Sequence, residues 1–77
     1  MGMNQTVILR EVEADHDGWE AEVEQMDRDV AYLFRGLETE VTRYVWHGSK
    51  ESDVLRVGYE TSSPRVLKKA KKLGWLR

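Results

Sequence analysis

Asp15-His16-Asp17-Gly18-Trp19-Glu20-Ala21-Glu22-Val23-Glu24-Gln25 is the stretch on which the fold of this chain turns. Asp15 to Gly18 has turn chemistry, because aspartate bonds its own backbone and glycine accepts a positive φ. After it, Trp19, Ala21 and Val23 alternate with Glu20, Glu22 and Glu24, a period of two that predicts a half-buried strand. Upstream, Val7-Ile8-Leu9 opens a β-prone run that extends to Ala14. The two runs read as a hairpin with Ala14 opposite Trp19, Val12 opposite Ala21 and Arg10 opposite Val23. A one-residue slip would lose the shared apolar face. The same register sets Glu13 against Glu20 and Glu11 against Glu22, a mild like-charge repulsion. The outer face of this hairpin is then a carboxylate patch of Glu11, Glu13, Glu20, Glu22 and Glu24.

Downstream, the segment from Asp27 to His47 supports three readings. Val30, Leu33, Phe34, Leu37, Val41, Tyr44 and Val45 fall at helical spacing, which fits one long amphipathic helix. The runs Val30 to Phe34 and Val41 to Trp46 are instead rich in β-branched and aromatic residues. Gly36 fits a turn better than a helix interior. Strands over 29–35 and 40–47 are preferred, and a strand followed by a short helix from Thr39 stays open beside the long helix. His47 to Asp53 is a loop by composition. Val54 to Glu60 reads as a strand with Leu55, Val57 and Tyr59 on one face and Arg56, Gly58 and Glu60 on the other.

Ser63-Pro64 then starts a helix, with Ser63 as N-cap and Pro64 in the first turn, and Gly74 stops it. Val66, Ala70 and Leu73 stack on one side of this helix, with Leu67 at its edge, and bases cover the rest. The expected fold is α+β: a small antiparallel sheet of four or five strands, built from hairpins, with this C-terminal amphipathic helix packed on one face. It forms a single domain over residues 1–77. Residues 1–5 are expected to be a flexible leader, 6–60 mainly β and acidic, and 63–73 the basic helix.

Length and composition bound what such a domain does. A chain of 77 residues allows one domain, and burial and chain entropy nearly balance at this size, so a partner chain would help it fold. There is no cysteine, hence no disulfide and no thiolate chemistry. The longest apolar run, Val30 to Phe34, is far too short to span a membrane. No basic segment followed by an apolar stretch opens the chain, so a cytoplasmic location is expected. The charge is unevenly spread. All 14 acids precede residue 61 and share that stretch with six bases, whereas residues 61–77 hold six bases and no acid.

Neither His16 nor His47 has the context of a catalytic triad or a metal motif, and no glycine-rich phosphate loop is present. Asp15-His16-Asp17, with Glu13 or Glu20, has the donor types for a divalent ion, but turn chemistry accounts for the same residues. No enzymatic activity, metal or cofactor is therefore expected. Two surfaces remain. The carboxylate patch would suit a protein partner with a basic surface, as in an inhibitor, an adaptor or a nucleic-acid mimic. An ordinary solvated face explains the same glutamates. Separately, Tyr44 and Trp46 share a face in the strand reading and would serve either as an aromatic anchor for a partner or as core. The alternative is nucleic-acid binding by Arg65, Lys68, Lys69, Lys71 and Lys72, with Trp75 stacking on a base. Against this, lysines near a helix C-terminus complement its dipole, and Trp75 and Leu76 can simply close the core. A homodimer is a third option, the basic helix of one copy lying on the acidic sheet of another and separating at high salt.

Asp17-Gly18-Trp19-Glu20-Ala21-Glu22-Val23 also resembles the opening strands of HicB-like antitoxin domains, small α+β modules that bind a protein partner. The resemblance covers seven residues. The helix-start pattern with a following alanine that this family carries is missing after Gly36, so the fold expectation rests on the residues themselves.

Overall fold

The structure is a computed structural model that describes residues 5–50 and 52–76. The expected leader, apart from Gln5, lies outside the described residues. The chain runs β1 (Val7–Glu13), α1 (Trp19–Leu33), a 3-10 turn (Glu38–Glu40), β2 (Thr42–His47), β3 (Val54–Thr61) and α2 (Pro64–Leu73). The fold is α+β, but among the described residues its antiparallel sheet has three strands in the order β1-β3-β2, not four or five, and there are two α-helices, not one.

The correction lies in residues 15–35. The expected strand at 19–25 lies within α1, and that at 29–35 is the last turns of α1 with Phe34 as its C-cap and Arg35 just beyond. Apolar residues recur at Trp19, Val23, Met26, Val30 and Phe34, one stripe of a helix. Val23, Met26, Val30 and Phe34 are buried, whereas Ala21, which the alternation would place beside Trp19 and Val23, is exposed. Gly18 does take a positive φ of 89°, but as the residue that starts a helix and not as the tip of a hairpin. Glu20 and Glu22 in the first turn complement the helix dipole. The stretch Asp17 to Val23 is thus turn and helix, which removes its resemblance to the opening strands of HicB-like domains.

With 19–25 folded away, β1 pairs instead with β3, and the hairpin register argued above does not occur. Val12 lies opposite Val57, Glu11 opposite Gly58, Arg10 opposite Tyr59 and Ile8 opposite Glu60. The register shifts between Ile8 and Arg10, a bulge at which Leu9 enters the core with 5% exposure. β2 and β3 form a local hairpin, with Tyr44 opposite Gly58 and Val45 opposite Val57. The helix α2 matches its expected span, with Ser63 Oγ accepting from the Val66 N–H at 3.4 Å and Gly74 closing it. Leu73 sits at the rim and not in the core.

Both helices pack on one face of the sheet. Leu9, Val12 and Val57 meet Val23, Met26, Val30 and Phe34 from the α1 side and Val66 and Ala70 from α2. Two polar latches pin this layer. In the first, Asp27 on α1 accepts from Arg43 Nε at 3.0 Å and Nη2 at 3.2 Å, and from the Tyr59 hydroxyl at 2.6 Å. Burial would raise the Asp27 pKa, but the hydrogen bonds from Arg43 and Tyr59 outweigh it and hold the carboxyl below its ordinary value. In the second, Glu40 ties the 3-10 turn to the start of α2. Its carboxylate accepts from Ser63 Oγ at 2.5 Å and lies 3.6 Å from Arg65, while its carbonyl accepts from Thr61 Oγ1 at 2.7 Å. Among the described residues, no helix is long and apolar enough to cross a membrane.

Candidate functional site

The helices leave the other face of the sheet open. Three cross-strand rows build it. The first is Ile8, Glu60 and Thr42. The second is Glu11, Gly58 and Tyr44. The third is Glu13, Arg56 and Trp46. Ile8 is 51% exposed and Trp46 59%. This face therefore joins two apolar anchors to three carboxylates and a single guanidinium. Arg56 lies 5.8 Å from the centre of the Trp46 ring.

The middle row is the most constrained. Tyr44 reaches across Gly58 and donates its hydroxyl to Glu11 Oε2. A methyl group on Gly58 would lie 2.5 Å from the Tyr44 oxygen and 2.7 Å from the Arg10 carbonyl oxygen, so only glycine leaves room for the ring. Burial of the hydroxyl, and then its bond to Glu11, raise the Tyr44 pKa well above the ordinary phenol value. The repulsion expected across the ladder does not arise. Glu13 faces Arg56, and Glu11 has a hydroxyl donor.

The five glutamates read as one patch occupy two sides of the molecule. Glu11 and Glu13 lie on the open face, while Glu20, Glu22 and Glu24 belong to α1, which covers the opposite one. Glu22 comes nearest to joining them, because it lines a groove beside β1 together with Arg10, Glu11, Val12, Gln25, Met26 and Asp29. It also accepts from His16 Nε2 at 2.5 Å, while Nδ1 of the same ring lies 2.7 Å from Asp15 Oδ1. The bond to Asp15, then that to Glu22, raise the His16 pKa, and the His16 contact lowers that of Asp15. With both ring nitrogens facing carboxylates, His16 serves as a clasp at the start of α1. Among the described residues no group of three or more acids and histidines could hold a metal ion.

On α2, Arg65, Lys68, Lys69 and Lys72 share one shallow depression. Lys71 lies on the other flank, where with Lys68 it rims an apolar groove lined by Val7, Pro64, Leu67 and Leu76. Trp75 is placed as a lid on the core. Its ring meets Phe34 edge-on at 5.4 Å, and the Arg10 guanidinium lies 4.0 Å over it, where a base would stack. Sequence reasoning singled out Glu11 and Glu13 in one patch and Tyr44 and Trp46 as a separate pair, and it did not select Ile8 or Glu60; the structure brings all six onto one face. The alternation at 54–60 places Glu60 beside Arg56, and only the pairing of β1 with β3 brings Ile8 next to it. Comparison of the chain with protein-family models, curated proteins and solved structures finds no match.

Proposed function

We propose that this protein is a non-enzymatic binding module that takes a protein partner with a basic surface on the open face of its sheet, as an inhibitor or adaptor does. The observation that carries this reading is the open face itself, with Trp46 and Ile8 exposed among Glu11, Glu13 and Glu60. Exposed apolar side chains ringed by charge mark interaction sites, and an aromatic anchor supplies most of the energy at such contacts. The carboxylates would set the sign of the partner and its rate of encounter. A second reading, nucleic-acid binding by α2, rests on the depression shared by Arg65, Lys68, Lys69 and Lys72, which no acid lines.

One pair of charge-reversal variants separates the two. Glu13→Lys with Glu60→Lys alters the open face while leaving the Tyr44–Glu11 bond in place. Lys68→Glu with Lys69→Glu and Lys72→Glu alters α2. The proposal requires that a basic protein captured by the wild-type chain is lost with the first variant and kept with the second. Fluorescence anisotropy of labelled DNA and RNA at two salt concentrations tests the alternative. Salt-sensitive binding that only the α2 variant abolishes would replace the protein-partner reading.

A further inference from the structure

The strand β2 is an edge of the sheet. Among the described residues β3 is its only ladder partner, and no main-chain hydrogen bond reaches β2 from outside that ladder. The direction of its outer groups follows from the alternation of an antiparallel ladder. The Leu55 carbonyl accepts from the Ala14 N–H at 2.8 Å, so Leu55 bonds toward β1. The alternate residues Arg56 and Gly58 then bond toward β2, where Trp46 and Tyr44 are their partners. Arg43 and Val45 are left with N–H and C=O groups aimed outward.

Native edge strands are commonly protected by lysine or proline, and β2 (Thr42-Arg43-Tyr44-Val45-Trp46-His47) has neither. Arg43 is folded back onto Asp27 at 3.0 Å, so its charge is answered within its own chain. Trp46 and Val45 are 59% and 39% exposed, which puts two large apolar side chains on this edge strand. The opposite edge differs. β1 carries Arg10, Glu11 and Glu13, and Glu22, Gln25 and Asp29 of α1 line a groove beside it.

We propose that β2 pairs antiparallel with β2 of a second copy of this chain, about a twofold axis through Val45, joining the two sheets into one. A twofold axis perpendicular to the sheet keeps each side chain on its own face, so odd residues meet odd and even meet even. Val45 then faces its own copy, Tyr44 faces Trp46 of the second copy, and Arg43 faces His47. The Tyr44 and Trp46 pairs fall at non-hydrogen-bonded positions, where cross-strand side chains approach most closely. The one fixed charge on the seam strand, Arg43, is answered by Asp27 of its own chain, and β2 itself carries no carboxylate and no lysine. This neutrality matches β2 to another β2 better than to a strand bearing charge, and it makes the dimer indifferent to salt. The inference does not rest on the proposed binding face, although it would place two such faces side by side.

Sedimentation equilibrium of the full chain tests it. The expected mass at high protein concentration is twice 9.0 kDa, at low and high salt alike. Val45→Lys, on the helix side of the sheet and away from the open face, should return the mass to 9.0 kDa with an unchanged far-UV circular dichroism spectrum. Amide exchange of the wild-type chain gives a second readout that needs no variant. The Arg43 and Val45 amides should exchange about tenfold or more slowly at high than at low protein concentration. A monomer at every concentration, a dimer that dissolves in salt, or exchange at Arg43 and Val45 that ignores concentration would overturn the proposal.

Discussion

Replacing Gly58 by alanine tests the packing of the open face more sharply than any other single change. The added methyl would sit 2.5 Å from the Tyr44 oxygen, 2.7 Å from its Cζ and 2.7 Å from the Arg10 carbonyl oxygen. That carbonyl belongs to a paired strand and cannot retreat without opening the β1–β3 ladder, a strain on the order of 1–3 kcal/mol. Tyr44 can swing aside, but only by leaving Glu11, and a hydrogen bond to a charged group contributes about 1.5–3 kcal/mol. Alanine regains at most about 1 kcal/mol through its lower chain entropy. The net expectation is a loss of about 2–4 kcal/mol from a total on the order of 4–12 kcal/mol for a domain of this length. Urea titration should show this as a midpoint lowered by more than about 1 M with an unchanged slope. In a Tyr44→Ala background the cost should fall by about 1 kcal/mol or more, because only the Arg10 carbonyl then obstructs the methyl. A loss below about 1 kcal/mol in the wild-type background, or strict additivity in the double variant, would refute the role given to this row.

Three further outcomes follow from the latches and caps. Asp27→Asn should cost about 1–2 kcal/mol at neutral pH, since the carboxylate is partly solvated and its bonds are correspondingly discounted. Because the folded Asp27 pKa lies below the ordinary 3.8, its contribution is complete above that value and is lost as pH falls further. Acid titration should therefore unfold the wild type with a step that the Asn variant lacks. His16 has the opposite sign. Its folded pKa is raised above 6.5, so its clasp is fully present below that pH and is lost as pH climbs through the raised value. Thermal midpoints measured on either side of that step should fall for the wild type and stay level for His16→Ala. Ser63→Ala removes the α2 N-cap and a bond to Glu40, and should lower stability by about 1 kcal/mol in the same urea assay.

Much of this fold was legible in the residues themselves. Val7–Glu13, Thr42–His47, Val54–Thr61 and Pro64–Leu73 all form where their patterns place them. Residues 15–35 misled, for a definite reason. Trp19 and Val23 satisfy periods of 2 and of 3.6 equally well, and the glutamates between them complete a clean alternation. The residues that decide are Met26, Val30 and Phe34, which continue the helical stripe after the alternation has stopped. Asp-His-Asp-Gly compounds the ambiguity, because a glycine at positive φ ends a hairpin turn and begins this helix with equal ease. The strand pairing was illegible for another reason. Consecutive strands usually pair, and here a helix intervenes and β3 takes the central place. Within each strand, alternation correctly puts Glu11 with Glu13 and Tyr44 with Trp46. Which strands lie side by side is a tertiary fact, so the Tyr44–Gly58–Glu11 row could not be composed from periodicity. Gly58 was the available clue, since glycine inside a strand often marks the close approach of another group.

The central position of β3 governs how the molecule must assemble during synthesis. Both ladders of the described sheet use β3, so β1 has no strand to pair with until β3 has been made. Its hairpin with β2 closes a short loop and can form at once. β1, although first in the chain, must wait and then dock across the long intervening segment, a larger entropic step. Until then its apolar side, Leu9 and Val12, has only the nascent α1 to lean on. The earliest strand of the sheet is thus the last to gain a partner, and β1 is the strand left longest with an unpaired ladder.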